Sequence, residues 1–246
     1  MRLMTVSFAL LAATISVTAL SAQTPSPAAA PAAAREGRAP ARQPVVVPPL
    51  FVREDFKREP NAQGQTAVTP ANLTNANLEL KVYGPDAGNL TISGAAGTAT
   101  PVNLWTGMTT APIVVMLRDK TRMVDLSGLA KIHWVTRASA FHVVRPVVKL
   151  ADGTFLVGDH ADASTTTFLP SEFALFDLRW VKLDPARGVT TGVYGPVGDA
   201  ASWIEHPDLS KVDEVGFVDL MPGSGHGSGG WVNVANIEIY GKAVPR

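Results

Sequence analysis

Apolar and polar residues alternate in short runs through most of this chain. In the last run, residues 233–241, Ile237 and Ile239 fall on one face of a strand and Glu238 and Tyr240 on the other. Glycines and prolines separate the runs, and helical periodicity is scarce. The pattern predicts an all-β fold of antiparallel strands, with strands at residues 77–83, 90–93, 112–118, 130–136, 142–150, 154–159, 173–183, 215–220 and 233–241.

Local signals fix some of the connections between these strands. In the segment VVKLADGTFLV, Asp152 and Gly153 supply a hairpin turn between two β-branched runs. Residues 127–131 and 208–213 each suit a single helical turn. Residues 221–230 hold five glycines, and such a segment brings no side chains to a core. It is therefore expected to be a loop at the rim of the fold, open to a ligand.

The amino-terminal residues predict export. Residues 1–22 join a positive start at Arg2 to an apolar run and small residues, the pattern of a secretory signal peptide cleaved after Ser21 or Ala22. The run is too short and too rich in hydroxyls to suit a membrane anchor. Residues 23–49, rich in alanine and proline, read as a disordered linker. Residues 50–246 then form one β-sandwich domain, secreted or periplasmic in a bacterium, without a transmembrane anchor after cleavage. The sequence does not give its oligomeric state.

Composition removes several classes of protein. The chain has no cysteine, which excludes a disulfide framework and a lipid-modified amino-terminal cysteine. Its net charge is zero and no basic stripe is present. Nucleic acid is therefore not an expected partner, since its phosphates require clustered lysine and arginine.

Three features together resemble a known family. These are the acidic–aromatic opening Arg53–Glu54–Asp55–Phe56, the segment DLSKVDEVGF, and the final strand NIEIYGK. This order resembles the galactose-binding-like jelly rolls of discoidin-type domains and several carbohydrate-binding modules. The resemblance covers about residues 50–243 and implies an antiparallel jelly-roll β-sandwich. The chain lacks the cysteines that often join the termini of discoidin domains.

Sugar binding and a structural calcium ion are both implied by this resemblance. The acids at the two ends of the domain are the candidate calcium ligands, because calcium accepts several oxygen ligands from distant segments. They are Glu54 or Asp55 at the start and Asp219 or Glu238 at the end. No histidine spacing suits zinc or copper.

Aromatic and charged residues supply candidates for a ligand site. Trp105 and Trp231 flank glycines at loop edges, where their rings could stack on the apolar face of a sugar. Trp134 and Trp180 lie within strands and are expected in the core. If the strands at residues 130–136 and 142–150 lie side by side, one sheet face would gather a polar patch, although an ordinary solvated face has the same composition. The members of this patch would be His133, Arg137, Arg145 and Lys149, which Asp159 and Asp177 or Arg179 could join. The predicted ligand-binding residues are Trp105, His133, Arg137, Arg145, Asp159, His226 and Trp231.

The sequence favours a non-catalytic domain that binds poly- or oligosaccharide, either alone or as an accessory to a polysaccharide-degrading enzyme. One alternative is a sugar-active enzyme of the hydrolase or lyase type, using Asp159, Asp177 or Asp219 with a histidine. Another is a structural or protein-binding sandwich of the cell envelope, which would present a flat apolar patch.

Overall fold

In the part of this protein that the structure describes, regular structure is almost entirely β-strand. The computed structural model describes residues 46–59, 61–108, 111, 113–139, 142–163, 166–185, 189–190, 203–220 and 230–246. The predicted signal peptide, most of the predicted linker, and His226 with residues 221–229 lie outside the described residues. In the described part of the chain, no helix is long and apolar enough to cross a membrane.

Two single 3-10 turns, Pro70–Asn72 and Ala87–Asn89, lie between strands in the described residues. The described strands are short. Their bounds are β1 Leu50–Glu54, β2 Thr66–Ala67, β3 Leu78–Tyr83, β4 Thr91–Ser93, β5 Asn103–Trp105, β6 Val114–Asp119, β7 Arg122–Asp125, β8 Lys131–Ala138, β9 Val143–Leu150, β10 Phe155–Gly158, β11 Leu169–Ala174, β12 Arg179–Asp184, β13 Val189–Thr190, β14 Ile204–Glu205, β15 Val212–Leu220, β16 Val232–Tyr240 and β17 Lys242–Pro245.

These strands form two antiparallel sheets. Sheet A has the order β11-β8-β16-β5-β4-β2, with β1 also paired to β16. Sheet B has the order β13-β12-β10-β9-β15-β6-β3, with β14 paired to β12 and with β7 joining β15 to β17. The predicted fold class, an antiparallel jelly-roll β-sandwich, is confirmed.

The main core lies between the two sheets. Trp134 from sheet A and Trp180 from sheet B are fully buried there, as their positions within strands predicted. Ile237 and Ile239 are buried too, whereas Glu238 and Tyr240 on the opposite face of β16 are partly exposed. The alternation of apolar and polar residues therefore gave the direction of these side chains correctly.

Sheet B buries apolar side chains on both of its faces. Along β9, Val144 and Val148 join the core between the sheets, whereas Val143 and Val147 belong to a second buried cluster. Phe155, Val157 and Val218 are also members of this second cluster. The outer face of sheet A is different, because β8 alternates buried and half-buried residues along its whole length. The outer face of sheet A is thus polar along β8, whereas that of sheet B combines its apolar cluster with ion pairs such as that of Lys149 with Glu214 at 2.8 Å.

Three sequence predictions about elements need correction. Residues 173–183 are not one strand but parts of β11 and β12, which lie in different sheets. Residues 127–131 and 208–213 are not helical. In both places an aspartate side chain accepts a hydrogen bond from a backbone N–H two residues later in the chain. Asp125 accepts from Ser127, and Asp208 accepts from Ser210. Such local bonds favour a turn over a helix.

Gly216 lies in β15 between β6 and β9. A Cβ there would lie 1.9 Å from the carbonyl oxygen of Val115 and 2.8 Å from the Cα of Met116. The Gly216→Ala variant is therefore expected to lose about 1–3 kcal/mol of unfolding free energy in urea denaturation. Gly88→Ala is the matched control, because a Cβ at Gly88 meets no atom within 4 Å. Equal stability of the two variants would contradict this account.

Candidate functional site

Three neighbouring strands of sheet A present a half-open hollow on the outer face. In the register of the sheet, Asn233 of β16 lies opposite Trp105 of β5 and also opposite Arg137 of β8. Since directly opposite residues point to the same face, these three side chains are neighbours. They line a hollow of about 230 Å³, which we call the Trp105–Trp231 hollow, together with Gln65, Ser93 and Trp231.

A row of hydrogen bonds fixes the polar groups of this hollow. The Asn233 amide donates to the Asn103 side-chain oxygen at 2.6 Å, and the Ser93 hydroxyl donates to the same oxygen at 3.2 Å. Asn103 in turn donates to the carbonyl oxygen of Pro101 at 2.7 Å. Arg137 Nη2 donates to the Asn233 Oδ1 at 3.4 Å. Because each amide is held by partners, its orientation is set before a ligand arrives.

Aromatic rings hold the Arg137 guanidinium in place. Its central carbon lies 4.8 Å from the centroid of the Trp231 ring and 4.9 Å from that of Phe168. A cation over an aromatic face within about 6 Å is attracted by the ring quadrupole. Sequence reasoning identified Trp105, Arg137 and Trp231 but missed Phe168, the residue before β11.

The other predicted ligand residues lie away from the hollow or outside the described part. His133 is on the same face of β8, with Nδ1 3.7 Å from Glu238 Oε2. Arg145 lies in β9 of sheet B, whereas His133 and Arg137 lie in β8 of sheet A. The expected patch of four basic residues on adjacent strands is therefore wrong. His226 lies outside the described residues.

Arg145 and Asp159 are both held within sheet B. The Arg145 side chain is buried, and its Nη1 donates to the carbonyl oxygen of Gly158 at 3.1 Å. Burial lowers the pKa of Arg145 to about 10, while the charge of Asp159 acts in the opposite direction. Asp159 forms an ion pair with Arg179 at 2.9 Å. Neither residue lines the Trp105–Trp231 hollow.

The four predicted calcium ligands do not form one ligand set. The buried Glu54 carboxylate accepts N–H bonds from Phe56 and Thr74 at 2.8 Å each and from Asn75 at 3.1 Å, and the Thr74 hydroxyl at 2.8 Å. These donors occupy the lone pairs that a metal would need. Within the described residues, no three His, Asp or Glu side chains gather as metal ligands.

The remaining three carboxylates of that prediction have partners of their own. Arg53 bonds Asp55 at 2.8 Å and Glu238 at 2.8 Å. The bond from Arg53 holds the pKa of Asp55 below its usual value, although burial opposes the shift. Asp219 is fully buried at a different place, between His142 and Thr106. These residues are better described as structural links than as calcium ligands.

The carboxylates considered for catalysis do not share a cleft. Asp219 is fully buried, Asp177 is exposed in the turn between β11 and β12, and Asp159 is paired with Arg179. Glycoside cleavage needs two carboxylates on either side of one bond, about 5–10 Å apart. A buried Asp219 cannot reach a polysaccharide in this arrangement.

Ser171, His160 and Asp162 form a group that resembles a catalytic triad in composition. Both the Asp162 carboxylate and the Ser171 hydroxyl contact the same ring nitrogen, Nε2, at 3.1 and 3.3 Å. A relay needs the acid on one nitrogen and the nucleophile on the other. Burial favours a higher pKa for Asp162, but hydrogen bonds from His160, Trp134 and Ser171 outweigh it, so the pKa is lowered. The group therefore anchors the buried Trp134, whose indole donates to Asp162 at 2.5 Å.

No family model and no curated protein matches this chain. Several solved structures are similar to it. One is the family 11 carbohydrate-binding module of the cellulosomal cellulase Lic26A-Cel5E of Clostridium thermocellum, with 13% identity, 81% of this chain and 97% of that chain covered, and a TM-score of 0.39. A second is a family 11 module from Clostridium thermocellum in complex with a β-1,3-1,4-mixed-linked tetrasaccharide, with 14% identity, coverage of 77% and 96%, and a TM-score of 0.36. A third is an exo-β-agarase, with 11% identity, coverage of 74% and 26%, and a TM-score of 0.37.

Proposed function

We propose that this protein is a non-catalytic, exported domain that binds carbohydrate across the outer face of sheet A. The observation that carries the proposal is the Trp105–Trp231 hollow, where two tryptophans and fixed amide groups meet on three adjacent strands. A sugar ring presents apolar C–H groups on its faces and hydroxyls around its edge. Aromatic rings bind such faces, and amide and guanidinium groups bind the hydroxyls.

The composition of the hollow supports binding over cleavage. Its described lining residues are Gln65, Ser93, Trp105, Arg137, Trp231 and Asn233, and none of them is a carboxylic acid. General acid and nucleophile roles in glycoside hydrolysis are ordinarily carried by carboxyl groups. The hollow can therefore hold a sugar by stacking and hydrogen bonds but does not supply that pair. Export rests on the signal pattern of residues 1–22.

Affinity gel electrophoresis on a panel of neutral and acidic polysaccharides tests the proposal. The unmodified protein should be retarded by at least one polymer. Trp231→Ala and Trp105→Ala should each weaken that retardation by about tenfold or more, because buried aromatic anchors dominate binding energy. Phe176→Ala is the matched control, since Phe176 is an aromatic residue 48% exposed in the turn between β11 and β12.

Two results would count against the proposal. One is no retardation of the unmodified protein on any polymer of the panel. The other is binding by Trp105→Ala and Trp231→Ala that equals that of Phe176→Ala. Circular dichroism and thermal melting of each variant confirm that a loss of binding is not a loss of fold.

A further inference from the structure

We infer that the ligand of the Trp105–Trp231 hollow carries a negative charge, as a carboxylate or sulfate ester on its sugar units, and that Arg137 binds this group. The inference rests on the proposed function and deepens it by naming the class of carbohydrate. Three observations on Arg137 support it: its ring contacts, its underused donors, and the lack of an ionic partner for it among the described residues.

The ring contacts determine which part of Arg137 a ligand can reach. Trp231 and Phe168 each lie within 5 Å of the guanidinium carbon. The two rings occupy part of the space around the guanidinium, so a ligand in the hollow would bond to it through N–H groups that are not directed at a ring. Carboxylate and sulfate oxygens are suited to such an edge, because two oxygens can accept two parallel N–H bonds.

The donors of Arg137 are underused in the described structure. Nε is buried and has no hydrogen-bond partner. The side-chain acceptor that does contact the group is Asn233 Oδ1, at a long 3.4 Å. A buried donor without an acceptor is costly, and the cost is larger for a charged group. A ligand whose oxygen atoms accept hydrogen bonds from the other N–H groups of the Arg137 guanidinium would offset part of this cost.

Among the residues that the structure describes, no carboxylate compensates the charge of Arg137. On the same side of the sandwich, Arg53 pairs with Asp55 and Glu238, and Lys131 pairs with Glu172 at 2.9 Å. In the part of the chain that the structure describes, no carboxylate lies within 4.0 Å of the Arg137 nitrogens, since Arg137 forms none of the salt bridges found there. A half-buried cation is thus held in the wall of the hollow by rings and an amide. An anionic sugar would supply the missing charge, whereas a neutral sugar would not.

Matched polymers that differ only in charge test the inference. Polygalacturonate and its methyl-esterified form share one backbone, as do dextran sulfate and dextran, so the two pairs separate carboxylate from sulfate. The unmodified protein should bind the charged member of at least one pair about tenfold or more tightly in affinity electrophoresis, because bonds to charged acceptors are about twice as strong as neutral ones.

Variants of Arg137 should remove this preference in a graded way. Arg137→Gln should bind both members of the pair equally, at the level of the neutral polymer. Arg137→Lys keeps the charge but loses the flat, forked donor group, so it should retain part of the preference. Arg53→Gln is the matched control on the same side of the sandwich, because the charge of Arg53 is already paired; it should keep the full preference.

The outcomes separate the inference from the proposed function. Equal binding of charged and neutral polymers by the unmodified protein, or a preference that survives in Arg137→Gln, would overturn the inference and leave carbohydrate binding intact. Binding to no polymer would remove both. If Arg137→Gln does not fold, tryptophan fluorescence of the unmodified protein titrated with galacturonate, glucose 6-sulfate, galactose and glucose decides. The inference would be overturned if galacturonate gave no larger response than galactose and glucose 6-sulfate no larger response than glucose.

Discussion

Replacement of Asp219 by alanine is expected to lower the free energy of unfolding by about 3–5 kcal/mol, the loss typical of removing one partner from a buried, hydrogen-bonded carboxylate network. Asp219 Oδ1 lies 2.6 Å from His142 Nδ1, and its Oδ2 accepts the hydroxyl of Thr106 at 2.6 Å. The Thr106 N–H donates to the carbonyl oxygen of Val232 at 3.1 Å, and the Val232 N–H, at the start of β16, donates to the Thr106 hydroxyl at 3.0 Å. Asp219 in sheet B is therefore linked through Thr106 to sheet A.

Removal of the carboxylate leaves the His142 ring nitrogen and the Thr106 hydroxyl without this buried partner, which is the source of the expected cost. Urea denaturation followed by tryptophan fluorescence measures the effect. Asp219→Asn keeps one acceptor oxygen and should lose less. Asp177→Ala, at an exposed turn position, should change stability by no more than about 0.5 kcal/mol. A loss in Asp219→Ala no larger than that of Asp177→Ala would refute the structural role.

The second large effect is expected at Glu54. Its carboxylate accepts the N–H groups of Phe56, Thr74 and Asn75 and the Thr74 hydroxyl. Phe56 has a φ of 52°, in the left-handed region that a bulky side chain rarely adopts. The bond from its N–H to Glu54 helps to hold it there, with its ring buried.

Glu54→Ala would leave these donors without an acceptor, at about 1–3 kcal/mol for each buried group that water does not reach. We expect a total loss of roughly 3 kcal/mol or more of unfolding free energy, measured by urea denaturation. Glu54→Gln keeps an oxygen for Phe56 and Thr74 and should lose about half as much. Glu59→Ala, at an exposed position on the same segment, is the control. An unchanged midpoint in Glu54→Ala would show that the donors find other partners.

The direction of side chains within a strand could be predicted from the sequence because it is a local property. In β8 the alternation placed Trp134 inward and His133 and Arg137 outward, as the structure has them. The sheet to which a strand belongs is not local. Nothing in the sequence between β8 and β9 reveals that these two strands belong to different sheets, so Arg145 was expected beside Arg137.

The candidate site could be predicted only in part, because strand register brings some of its residues together and register is not a local property of the sequence. Trp105 and Trp231 stood out because large aromatic residues beside glycines are uncommon in a core. Asn233 has no such signal. It belongs to the hollow only through its register opposite Trp105 and Arg137. For Glu54 the sequence suggested a metal ligand, because this acid lies in an acidic opening. In the folded chain, three backbone N–H groups donate to its carboxylate.

The burial of apolar side chains on both faces of sheet B has a consequence for how this domain can diverge in evolution. Strand β8 should accept polar replacements at every second position, so that recognition of new ligands can arise on sheet A with little effect on folding. Strand β9 from Val143 to Val148 is buried throughout, and nearly every replacement there removes packing on one side or the other. Sequence drift in homologous domains should therefore concentrate on one side of the sandwich.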